Sequence, residues 1–195
     1  VMVAGSKDSK AGASKADAED EIPGGDIPVW GAYLRALQKA PVRTKLITSV
    51  VMMSTSQLTG QLLQKGRMTD PKGVRIWGLW GLALATFHTW YQPMLAKHGP
   101  KNTALKIMLD HLIHKVPFLY IFAAYDKVMR GEALASAVRY SLDINPGLQR
   151  AAVKVWPLIQ MVNFTLIPLP LRVLYQNAAL FAWVVFLSIK MRVTS

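Results

Sequence analysis

Lys106, Asp110 and His114 recur four residues apart inside the apolar stretch 104–129, so on a helix they form one stripe bearing a cation, an acid and an imidazole. An acid inside an apolar, membrane-length segment is a functional-site candidate by default, and a structural ion pair satisfies the same requirement. Both readings stay open here, and Asp110 is expected to lie near Arg172 or to share a polar cluster with Lys106. His111 and His114, beside Asp110, have a spacing usable for a metal, but the sequence places no further strong ligand, so no metal is expected. His88, among Trp77, Gly81 and Leu84, reads as a packed histidine rather than a proton carrier.

Two sets of amides are the other chemical feature. Gln57, Gln61 and Gln64 fall at i, i+4 and i+7 with Ser54 nearby, and could line a pore, although hydrogen bonding between helices is the simpler reading. In "WPLIQMVNFTLIPLPLR", Trp156, Gln160, Asn163 and Ile167 share one helical stripe. Lipid offers no partner to an amide, so Gln160 and Asn163 are predicted to bond to a neighbouring helix. Pro168 and Pro170 cannot continue that helix and mark a turn, after which Arg172 shares a face with Gln176, Leu180, Trp183 and Leu187. Pro157 is read as lying near a helix start.

Absences narrow the chemistry. The chain has no cysteine, which excludes disulfides, thiolate metal sites and cysteine nucleophiles. It shows no phosphate loop, nucleophile elbow or workable pair of acids. No enzyme, catalytic residue or cofactor is expected.

The elements that must carry these residues are helices in an apolar solvent. Of the 195 residues 52% are hydrophobic and only 17% charged, an unusually oily balance for a soluble domain. Apolar stretches at 42–64, 74–95, 104–129, 148–168 and 171–190 each approach the roughly 20 residues that a membrane helix needs. Strand-like alternation and internal repeats are not seen. The reading is an all-α integral membrane bundle of four to five membrane segments over residues 28–195. A short interfacial helix opens it, with Trp30, Tyr33, Leu34 and Leu37 at helical spacing and Pro41 at its end. Gly81 and Ala85 fit a small-residue contact that lets two helices approach. Basic connectors fall on both sides of the segments, so the positive-inside rule assigns no orientation.

Residues 1–27 form a polar, acidic arm without apolar periodicity, read as unstructured, and no apolar segment follows its first lysine as in a signal peptide. The arm carries six acids and three lysines, a net −3; the rest carries twenty basic and five acidic residues, a net +15, which returns the total of +12. A basic, oily body suits anionic headgroups, and Arg35, Lys39, Arg43 and Lys45 are predicted to bind anionic phospholipid beside the first membrane helix. Nucleic acid is not an expected partner, because the basic residues are spread between apolar runs. An arm so polar is ordered only by contacts, so the stretch before Pro23 is predicted to dock on another polypeptide of a larger complex.

The chain also resembles a family of small organelle membrane proteins, the Mpv-seventeen and twenty-two-kilodalton peroxisomal membrane protein family. The resemblance is carried by Trp156, Pro157, Gln160, Asn163, Phe164, Pro168 and Arg172, then Trp183, Leu187 and Ser188. Upstream, His88, Trp90 and Tyr91 look like the family's H-x-W-Y element, and Lys106 with Asp110 like its K-x-x-x-D element. Trp30, Tyr33, Leu37, Pro41 and Thr44 resemble its opening pattern. Ser56 and Gln57 stand where that family usually carries Gly-Asp, and His111 where it carries glutamine. The resemblance implies a multi-helix protein of the mitochondrial inner membrane, peroxisome or plastid, acting as a small-solute channel or in membrane homeostasis, without catalysis. The expected function is an accessory or structural subunit of an organelle membrane complex, the mitochondrial inner membrane first; the alternative is a small-solute channel of the mitochondrial inner or peroxisomal membrane.

Overall fold

Proline and glycine punctuate the chain where the helices begin and end. The computed structural model describes the backbone of residues 28–193 and the side chains of 29–185. The arm 1–27, with its expected docking, and the side chains of Leu187 and Ser188 lie outside the described residues. Helix α1 spans Pro28–Lys39, buries Leu34 and Leu37, and leaves Arg35 and Lys39 exposed. Its Trp30 and Tyr33 rings stack 5.5 Å apart. Pro41 then opens α2, Pro41–Lys65, because a first-turn proline forfeits no helical bond. Gly66, at φ +71°, closes α2 with its N–H on the Leu62 carbonyl.

Helix α3, Pro71–His98, starts on Asp70, whose carboxylate accepts the Gly73 N–H at 2.8 Å. Asn102 caps α4, Thr103–Asp110, in the same way. A π turn, His111–Lys115, joins α4 to α5, Val116–Met129, and there the Val116 N–H reaches the His111 carbonyl five residues back. Pro117 explains the wider turn, since it has no N–H and its ring crowds the carbonyl four residues before it. Helix α6 runs from Leu134 to Thr165 and α7 from Arg172 to Val193, with a 3-10 turn at Leu169–Leu171 between them. Pro168 and Pro170 thus sit in the turn as expected, whereas α6 begins fourteen residues before the apolar stretch 148–168. Arg139 and Asp143 make that first half too polar for an apolar window to find. Pro157 is therefore interior rather than near a helix start.

Every regular element among the described residues is helical. Among the described residues one run, Thr103–Met129, is by composition alone long and apolar enough to cross a membrane, at mean hydropathy 1.3, and the described part of the last helical run, Leu169–Val185, is apolar as well. The other expected segments match helices of sufficient length, but buried polar residues such as Gln61, His88, Gln92, Gln160 and Asn163, together with charged ones such as Arg43, Lys45, Arg75, Arg150 and Lys154, lower their mean hydropathy. Helix α2 packs between α3 and α7, and α6 packs on α4 and α5. At the α2–α3 crossing, a Cβ on Gly81 would lie 2.6 Å from the Ser49 carbonyl, so only glycine permits this approach. The up-and-down path gathers the starts of α2, α4 and α7 and the ends of α3 and α6 at one end of the bundle.

Candidate functional site

The interior is polar where most interiors are apolar. Asp110 and Asn163 are 0% exposed and His88, His114 and Gln160 only 1%, while Ile113 is 58% and Leu158 62% exposed. Helix α4 presents Asp110, the π turn presents His114, and α6 presents Gln160 and Asn163 to one cluster. Asp110 accepts two bonds: from Gln160 Nε2 at 2.6 Å and from His114 Nδ1 at 3.1 Å. Asn163 Nδ2 donates to Gln160 Oε1 at 2.9 Å. His114 Nε2 faces His88 Nε2 of α3 at 3.0 Å.

The bonding direction follows from the acid. Asp110 takes the Nδ1 proton of His114, so Nε2 of His114 accepts and Nε2–H of His88 donates. This bond exists only while at least one of the two rings is deprotonated. Aromatic neighbours hold the rings in place: Phe87, Tyr91 and Phe118 lie 5.0, 5.3 and 4.7 Å from His114 between ring centroids. The π turn matters because its extra residue rotates α5 relative to α4 by roughly 100°. The aromatic stripe of Phe118, Phe122 and Tyr125 then meets Trp77 and Trp80 of α3.

A second polar contact sits beside the first. Lys115 Nζ donates to Gln176 Oε1 of α7 at 2.9 Å and lies 4.7 Å over the Trp156 ring. Asn177 of α7 bonds to Ser49 of α2. Several buried polar atoms have no hydrogen-bond partner: His88 Nδ1, both amide atoms of Gln92, Asn163 Oδ1, Gln176 Nε2 and Asn177 Oδ1. They lie on α3, α6 and α7, and α7 packs against both of the others.

The residues singled out from sequence divide into groups. Asp110, His114, His88, Gln160 and Asn163 come together in one network. Gln160 bonds across helices as expected, whereas Asn163 donates within its own helix. Lys106 and Arg172, expected near Asp110 or in one polar cluster with it, make no ion pair with Asp110; both lie against the Phe164 ring, at 5.9 and 5.6 Å, and Arg172 Nε donates to the Ile167 carbonyl. Gln61 is remote from this cluster: its amide accepts from the N–H groups of Thr69 and Asp70 and donates to the Asp70 carbonyl, stapling the α2–α3 loop. Gln57 is half-buried and Gln64 exposed on the same helix. Arg35, Lys39 and Arg43 are exposed and Lys45 half-buried. His111 is not part of the network, and among the described residues no three of His, Asp and Glu group to hold a metal ion. Lys115 and Gln92 went unnoticed in the sequence, although a lysine next to His114 inside an apolar run meets the rule that flags buried ionisable groups.

At the opposite end Asp70 meets Arg130 Nη1 at 2.8 Å, and Asp126 meets Arg130 Nε at 2.8 Å, tying the α2–α3 loop to the end of α5. Burial disfavours ionisation of Asp70, but the Gly73 N–H and the Arg130 guanidinium outweigh it and hold the carboxyl below its ordinary range.

Residues 128–188 match the model of the Mpv17 / PMP22 family. Relatives extend the similarity over most of the chain. PXMP2/4 family protein 3 of Dictyostelium discoideum is 29% identical across 84% of this chain and 90% of its own length. Peroxisomal membrane protein PMP22 of Arabidopsis thaliana is 28% identical across 82% and 88%. Peroxisomal membrane protein 2 of Bos taurus is 26% identical across 90% and 96%. No solved structure matches.

Proposed function

The chain belongs to the Mpv17 / PMP22 family, and from that premise we propose that it is a non-enzymatic small-solute conduit spanning an organelle membrane by five helical passes. Membership with relatives named as peroxisomal membrane proteins supports an organelle membrane, and those names favour the peroxisome over the mitochondrial inner membrane. The inverted distribution of side chains supports the five passes: leucines, isoleucines and valines face outward on α2 to α6 while amides and histidines face inward. Exposed Arg35, Lys39 and Arg43 on and beside α1 suit anionic headgroups at the interface.

One observation carries conduction. A purely structural polar seam satisfies its members, because each buried polar group without a partner costs about 1–3 kcal/mol. Gln92 is 1% exposed and bonds through neither amide atom. Together with the free atoms of His88, Asn163, Gln176 and Asn177 it offers hydrogen-bonding capacity inside the bundle that passing solutes can use. The subunit reading drew on the arm 1–27, whereas the conduit draws on described residues.

Gln92→Leu tests it. Leucine has similar volume and removes an unbonded amide, so a structural role predicts an equal or higher melting temperature and unchanged flux. The conduit predicts an equal or higher melting temperature with reduced efflux of small polar solutes, from glycerol to sucrose, out of liposomes holding the purified chain. Wild-type liposomes no leakier than empty ones would overturn the conduit.

A further inference from the structure

The two ends of the bundle differ in charge. Asp70, Asp126 and Glu132 cluster at the end that carries the α2–α3 and α5–α6 loops, paired with Arg130 and Lys127. At the other end, the first and last turns carry Arg43, Lys45, Lys97, Lys106 and Arg172, with Lys101 in the loop between α3 and α4 and no described acid among them. The first of these ends also carries Lys65, Arg67, Lys72 and Arg75, so both ends are basic, but only there are acids interleaved with the cations.

Two of those cations converge. Lys106 Nζ from α4 and the Arg172 guanidinium from α7 lie 5.9 and 5.6 Å from the centroid of the same ring, Phe164 of α6, so they are separated by no more than the sum of those distances. Both are half-buried, and among the described residues neither has a carboxylate within ion-pairing distance. Arg172 spends its Nε–H on the Ile167 carbonyl, which fixes the plane of the guanidinium and leaves its Nη donors in a fork. Phe164 follows Asn163, whose buried Oδ1 has no partner, so the pair stands above the polar network. Two cations on neighbouring helices at a partly desolvated mouth raise the local affinity for an anion.

We propose that Lys106 and Arg172 form an anion-binding site at this mouth, taking the oxygens of one phosphate or carboxylate group. Arg172 supplies the planar fork that phosphate and carboxylate match, and Lys106 a compact charge from a second helix. The group can belong to a phospholipid head or to a small anionic solute, since both present the same oxygens. The site is independent of conduction: it can fill whether or not the interior passes solutes.

The test is thermal melting of the purified full chain in uncharged detergent. Inorganic phosphate is titrated against chloride at constant ionic strength, and phosphatidylglycerol is doped into the micelles in a parallel series. Wild type should be stabilised by at least one probe. Lys106→Gln and Arg172→Gln should each weaken that apparent affinity by about tenfold, while Lys106→Arg keeps it and Lys101→Gln, a nearby basic residue outside the site, leaves it unchanged. A response to phosphate assigns a solute anion; a response to phosphatidylglycerol alone assigns a headgroup. A wild type that answers neither probe overturns the site without any variant having to fold. Equal loss in Lys101→Gln reduces it to diffuse attraction and overturns it as well.

Discussion

Replacing Asp110 separates the charge of the buried network from its hydrogen bonds. Asp110 accepts from Gln160 Nε2 and His114 Nδ1 and is fully buried. Asp110→Leu keeps comparable bulk but leaves both donors unpaired. Two lost bonds at the membrane average of about 0.6 kcal/mol each set a floor near 1 kcal/mol. Two stranded donors at about 1–3 kcal/mol each set a ceiling near 6, and about 3 kcal/mol is expected. Asp110→Asn behaves differently because the network can invert. The new amide keeps one oxygen for His114 and donates its NH2 to Gln160, whose amide flips; Asn163, which now faces Gln160 Oε1 with its NH2, flips with it, so that its Oδ1, an atom now without a partner, accepts from Gln160 Nε2. Every bond is retained and only charge assistance is lost, about 1 kcal/mol. Equilibrium unfolding in mixed micelles measures both variants. Equal destabilisation by Asn and Leu would refute the flip, and no destabilisation by Leu would refute the network as a fold determinant.

Three further outcomes rest on the helix packing and on the ion pairs of the loops. Gly81→Ala places a methyl 2.6 Å from the Ser49 carbonyl and should cost about 1–3 kcal/mol in micelle unfolding. Gly131→Ala meets nothing within 4 Å and should cost only the strain of φ +99°, about 1–2 kcal/mol, and a milder effect at Gly81 than at Gly131 would contradict the packing argument. Asp70 is held below its ordinary carboxyl value, so its stabilising contribution is present at neutral pH and lost as pH falls below about 4 toward the folded-state value. Asp70→Asn keeps the cap on Gly73 but not the Arg130 pair; it should lower stability by up to about 1 kcal/mol at pH 7, a gap that narrows as pH falls toward the folded-state value, and a gap that does not change with pH would point to the cap instead.

Helix ends were legible because local chemistry sets them. The stretch 42–64 became Pro41–Lys65 and 104–129 became Thr103–Met129, since first-turn prolines, Asp70, Asn102 and Gly66 act within a few residues of themselves. The first half of α6 was hidden because Arg139 and Asp143 face outward there, and a window that averages over all faces of a helix discards such a segment. Individual stripes were visible in the same way: Asp110 with His114, and Gln160 with Asn163, follow from spacing within one helix. Their partners were not. Whether Asp110 meets Arg172 or Gln160 depends on how α4 is rotated against α6 and α7, and the π turn ahead of Pro117 changes that rotation for everything after it.

The polar interior holds two sets of residues with different duties. Asp110, His114 and Gln160 bond across α4, the π turn and α6, and His88 extends the chain to α3, so changes there act on how the helices are held together. Gln92, the second set, bonds to nothing, so a change there removes polarity without removing a contact, whereas Gln176 and Asn177 each use one end of the amide, on Lys115 and Ser49, and fall between the two. A purely structural interior predicts that the first set destabilises and the second does nothing or stabilises. A conducting interior predicts that the second set lowers flux at constant stability. Since Gln92 and His88 lie one turn apart on α3, a leucine at Gln92 and a substitution at Asp110 probe almost the same region of the bundle. A difference in their behaviour therefore reflects bonding rather than position.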